Sequence, residues 1–121
     1  VISMSSSYRA WPQNIEWCQD ANIIRHEFNS CQFYERLQNN ELKTTIFKSR
    51  HRSPVTEPEC TLSQVLVYWD SDSNPVAMVH QYLRPDGAIG GSGKPDPKWI
   101  VVGDKVMALR TKSSRTERQH K

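Results

Sequence analysis

The stretch QVLVYWDSDSNPVAMVHQYL, Gln64 to Leu83, decides how this chain folds. Its opening, Gln64 to Trp69, is dense in the β-branched and aromatic residues that suit a pleated strand. Asp70 to Pro75 then packs two acids, two serines, an asparagine and a proline into six positions, the chemistry of a turn. From Val76 to Leu83 a second β-prone run returns, so the segment reads as a hairpin with a longer loop. In that second run Val76, Met78, His80 and Tyr82 fall on one side, and Ala77, Val79, Gln81 and Leu83 on the other. Both sides carry apolar groups, so periodicity leaves the inward face open.

Upstream of the hairpin the period is helical. Trp17, Ala21, Ile24, Phe28 and Cys31 recur at spacings of 4, 3, 4 and 3, and Tyr34 and Leu37 continue the stripe. Asn14 reads as the N-cap, with Glu16 and Asp20 near the positive end of the dipole, and Asn39-Asn40 as the stop. Asn29-Ser30 are weak helix formers, which allows one long helix or two shorter ones. Thr44–Phe47 reads as a short strand, and 49–60, with two prolines, as a loop. Downstream, 84–98 holds three prolines and four glycines and reads as irregular. Trp99–Val102 and Lys105–Leu109 then flank Gly103-Asp104, a pair suited to a type II′ turn. The expected fold class is α+β: an N-terminal amphipathic helix, whole or broken in two, on an antiparallel sheet of four to five strands.

A length of 121 residues suits one domain, assigned to 1–109 with an irregular arm over 1–13. The net charge of +3 is unevenly shared. Residues 110–121 carry Arg110, Lys112, Arg115, Arg118 and Lys121 against Glu117, a net of +4, so the other 109 residues net −1. The basicity belongs to an aperiodic stretch that reads as a flexible tail. Cys18, Cys31 and Cys60 form an odd, sparse set without C-x-x-C spacing, which favours free thiols and a reducing, cytoplasmic setting. No run approaches 18 apolar residues, so no membrane span is expected, and no leader pattern opens the chain.

Several motifs begin well and fail. Ala88 to Lys94 has the look of a phosphate loop, but the template G-x-x-x-x-G-K-[ST] would need Gly at Ala88 and a hydroxyl at Pro95. What survives is a glycine-rich nest beside Lys94 and Lys98 that could hold an anion. Asp70 to Asn74 opens like a calcium loop, yet its sixth and twelfth positions are Pro75 and Gln81. His26-Glu27 starts H-E-x-x-H, but the fifth position is Ser30. Neither a metal nor a cofactor is expected.

Two classes of function remain. The first is a binding or interaction module using a sheet face or a groove near the glycine-rich loop. Trp69, Tyr82, Trp99 and Lys94 are its candidate ligand contacts, and a small molecule or a protein its partner. The second is a metal-independent ribonuclease of toxin type. His80 would be its acid or base, Arg84 and Lys94 would hold the phosphate, and Tyr82 would stack or donate a proton. Arg50 and Arg52, in the basic run 48–52, are candidate nucleic-acid contacts, as is the tail. Convergence of His80, Arg84, Arg50 and Arg52 in one cleft would favour the enzyme; burial of His80 under the helix would favour the module. A homodimer through the sheet is compatible with either.

Overall fold

The hairpin forms as its sequence indicates. β3 (Leu62–Trp69) and β4 (Pro75–Leu83) pair antiparallel, with Leu62 opposite Leu83 and Tyr68 opposite Ala77. The turn between them is capped by its own first acid. Asp70 Oδ1 accepts from the backbone N–H of Asp72 and of Asn74, both at 2.9 Å, which gives the first acid of the calcium-like run a structural role.

The computed structural model describes residues 12, 14–51 and 53–110. Around the hairpin it adds β1 (Asn14–Cys18), α1 (Ala21–Ser30), α2 (Phe33–Gln38), β2 (Lys43–His51), β5 (Asp96–Val102) and β6 (Lys105–Leu109). The six strands form one sheet in the order β1-β6-β5-β4-β3-β2. Two helices on a sheet make the α+β class expected; of four details, three depart from expectation and one decides between expected alternatives.

First, the sheet is mixed and has six strands, because β1 runs parallel to β6, with Asn14 level with Lys105 and Cys18 with Leu109. The residues read as the first helical turn are this strand. The helix begins six residues later, where Asp20 takes an extended backbone and accepts from Asn22 N at 2.9 Å. Second, the helix is broken, the latter of the two alternatives that the weak Asn29-Ser30 pair allowed. Gln32 adopts φ 57° and separates α1 from α2 just past the weak Asn29-Ser30 pair. Third, Ser49, Arg50 and His51 belong to β2 rather than to a loop, opposite Gln64, Ser63 and Leu62. Fourth, β5 starts at Asp96 rather than Trp99, with Pro97 near its beginning, where a missing N–H is tolerated. Arg110, assigned to the tail, continues the β1–β6 ladder by donating to Cys18 O at 3.1 Å, and its guanidinium lies 5.0 Å over the Trp17 ring. The rest of the expected tail, 111–121, and residues 1–11 and 13 of the arm 1–13 lie outside the described residues. Also among the described residues, no helix is long and apolar enough to cross a membrane.

Register settles which face of the sheet is inward, because directly paired residues point the same way. Leu66, Tyr68, Ala77, Val79, Ile100 and Met107 form one buried cluster with Ile24 and Phe28 of α1 and Phe33 of α2. Phe28 stacks on Phe33 at 5.6 Å and tilts onto Tyr68 at 6.2 Å. The helical stripe from Ala21 onward is therefore the core seam. On the opposite face stand Val65, Val67, Met78, His80, Tyr82, Trp99, Val101, Val106 and Ala108.

Candidate functional site

That second face divides in two. Toward β5, β6 and β1 it is apolar, and Val106 is buried, as is Val67 on the central strand β3. Toward β2 it becomes polar and accessible. The cross-strand pairs build two rungs there: Arg50–Ser63–Tyr82 and Lys48–Val65–His80. Each rung runs from an exposed cation on β2, over a short residue on β3, to a half-buried ring on β4.

The registry depends on a local irregularity. A bulge falls between Ile46 and Lys48, and Phe47 is its extra residue, 66% exposed. Without it, the alternation from Thr45 would send Lys48 and Arg50 to the helix side. The contacts agree with the shifted register. Thr45 Oγ1 accepts from Trp69 Nε1 at 2.9 Å, and Gln64 Nε2 donates to Ser49 Oγ at 3.3 Å. Lys43, opposite Trp69, adds a third cation to the same side of β2.

His80 is the most constrained member. Its Nε2 shares a 2.8 Å hydrogen bond with Ser63 Oγ, and its ring meets Tyr82 edge-on, centroids 4.7 Å apart at 88°. Burial, and then the Lys98 ammonium, push the imidazole below its ordinary pKa, while Asp96 pulls weakly the other way. It is therefore neutral at pH 7, able to accept or donate but carrying no charge. Asp96, level with His80 on β5, accepts from Arg25 Nε of α1 at 2.7 Å.

No family model, curated protein or solved structure matches this chain. The geometry alone must carry the reading.

The remaining sequence candidates fall elsewhere. Arg84 does not reach the rungs; its guanidinium is bonded to Glu57 at 2.7 Å and 3.4 Å. Glu57 is the anion that the glycine-rich loop cradles. Its side chain is 4% exposed and accepts from Gly91 N at 2.9 Å, and these donors hold its carboxyl below the usual range. A Cβ at Gly90 would sit 2.6 Å from Glu57 Cδ, so any larger residue there would have to displace the Glu57 carboxylate. Gly90 N donates to Tyr82 O at 2.7 Å and Gly93 N to Gly90 O at 3.1 Å, which occupies most of the nest. The loop is thus built around an internal carboxylate, 34 residues upstream.

Between this loop, the 80–82 edge of β4 and α1 lies a cleft of about 380 Å3, lined also by Arg25, Lys94 and Asp96. Its cations are engaged: Arg25 with Asp96, and Lys94 with Glu35 of α2 at 3.5 Å. Lys94 lines this cleft together with Tyr82 but not with Trp69 or Trp99, which lie elsewhere on the face that Tyr82 shares. Arg52 lies outside the described residues. Among the described residues, no group of three or more His, Cys, Asp or Glu is placed to hold a metal ion. Neither discriminating arrangement, the four-way convergence or burial of His80 under the helix, is met among the described residues. Arg50 and His80 share a surface, Arg84 is turned to Glu57, and His80 is half-buried on the face away from the helices. Sequence reading missed Ser63 and the role of Lys48. The only signal available was the two-residue spacing of Lys48 and Arg50.

Proposed function

We propose that this protein is a binding module that takes an anionic ligand on the sheet face away from the helices, at the β2–β4 corner. One observation carries the reading: the paired rungs that set Arg50 level with Tyr82 and Lys48 level with His80. Lys43, Lys48 and Arg50 stand on one side of an edge strand that holds no carboxylate, and among the described residues none of them makes a salt bridge. Arg and Lys so placed attract anions, and the rings beside them offer apolar contact and hydrogen bonds. The groove at the glycine-rich loop is a weaker site, because its charges are already neutralised. The ribonuclease alternative needs Arg84 on the phosphate, and Arg84 is engaged by Glu57.

The test is a 1H–15N shift map of the full chain titrated with a heparin tetrasaccharide, followed by incubation with RNA. The proposal expects the amides of 48, 50, 63, 80 and 82 to move and the RNA to stay intact. Movement confined to 110–121 would refute the site. Cleaved RNA, abolished by His80→Ala, would refute the non-catalytic reading.

A further inference from the structure

The rungs repeat, and the repeat has a length. Lys48 and Arg50 are two residues apart on one strand, about 6.7 Å, and so are His80 and Tyr82. The cation column on β2 and the ring column on β4 are two strands apart, roughly 10 Å. A ligand that fills both rungs must therefore repeat an anionic group about every 6–7 Å and carry a flat group to one side of each. An extended single strand of nucleic acid does this: one phosphate per nucleotide along its backbone, and one base offset across the sugar. Small residues, Ser63 and Val65, lie between the columns, where the sugar would pass.

Resting on the binding site proposed above, we infer that its ligand is single-stranded nucleic acid, with phosphates on Lys48 and Arg50 and bases against His80 and Tyr82. Phe47, 66% exposed, adjoins Lys48 at the bulge on the cation strand, where its ring is open to a base of a flanking nucleotide. Bases have π-faces and stack on such rings without regard to identity, so binding is sequence-tolerant. Duplex is disfavoured, because its bases are stacked on one another and cannot reach the rings.

Two other occupants fit less well. A second copy paired along β2 would bring Lys43, Lys48 and Arg50 against their own counterparts, six cations at one seam. An acidic peptide satisfies the cations, but it supplies no planar group for His80 and Tyr82.

The experiment is fluorescence anisotropy of the full chain with a labelled twelve-nucleotide uridine strand across a salt series. It is repeated for Lys48→Gln/Arg50→Gln and for Phe47→Ala, with circular dichroism confirming that each variant folds. Loss of two phosphate contacts flattens the slope of log K against log salt by about 1.4. Loss of one stacking ring weakens binding roughly tenfold. A slope unchanged in the double variant overturns the inference, since the strand is then held elsewhere. The parallel arm titrates a twelve-residue polyglutamate and follows the amides of 48, 50, 63, 80 and 82. If polyglutamate moves them and the uridine strand does not bind, the nucleic-acid inference falls while the anion site stands. If neither probe binds, both fall.

Discussion

Replacing Phe28 by alanine tests the seam on which the placement of every functional side chain depends. Phe28 is 1% exposed, stacks on Phe33 at 5.6 Å and leans on Tyr68 at 6.2 Å. It is the one ring that ties α1 both to α2 and to the sheet. Truncation removes the transfer free energy of the ring and leaves a cavity whose walls are themselves aromatic and buried, so collapse is limited. Buried phenylalanine truncations of this kind cost about 3–5 kcal/mol. Domains of this size are stable by about 5–15 kcal/mol, so the variant sits close to unfolding. Urea unfolding followed by far-UV circular dichroism gives the number, with the m value unchanged if the same surface is exposed. Ile46→Ala is the control: the side chain is 60% exposed on an edge strand, and its loss stays within about 0.5 kcal/mol. A Phe28→Ala cost below about 1 kcal/mol would refute the assignment of the helix-facing side, and with it the face given to His80 and Arg50.

Three further outcomes follow from single sites. Gln32 holds φ 57° at the break between the helices, where a side chain is strained, so Gln32→Gly raises stability by about 1 kcal/mol in the same assay. The Glu57 carboxyl is depressed by Arg84 and Gly91, so its contribution is complete above the unfolded value of about 4.3 and is lost as pH falls through the lower folded value. Wild type and Glu57→Gln therefore converge in stability below about pH 4, and a constant gap down to pH 2 would contradict the cradle. His80 titrates below its unfolded value of about 6.5 in an NMR pH series, and Lys98→Gln shifts the midpoint upward by removing the nearby cation. Because folding holds this imidazole neutral, its contribution is full above that value and declines as pH drops toward the folded midpoint.

Much of the fold was legible because it is written locally. The Gln64–Leu83 hairpin, the Lys105–Leu109 strand and the stripe Ala21, Ile24, Phe28 all follow from period and turn chemistry. What escaped is non-local. Asn14–Cys18 carries a helical spacing from Trp17 to Ala21, yet its backbone is claimed by β6, about 90 residues later. Ser49 to His51 lack alternation because an edge strand exposed on both faces has no buried side to encode. The candidate site divides along the same line. Arg50, His80 and Tyr82 were recognised by their chemistry, but their alignment requires knowing that β3 lies between β2 and β4 and that Phe47 shifts the register by one. The glycine-rich loop was recognised as an anion cradle, while its anion, Glu57, came from a loop that nothing in the local sequence connects to it.

The central claim is that anions bind the β2–β4 corner rather than the basic C-terminal segment, and one calorimetric comparison addresses it. Heparin affinity is measured by titration calorimetry for the full chain, for Lys48→Glu/Arg50→Glu, and for Lys112→Glu/Arg115→Glu, each reversing two charges. Equal changes in net charge remove any general electrostatic difference. The account predicts the larger loss, tenfold or more, for the first pair. A larger loss for the second pair, with the first near wild type, would contradict it.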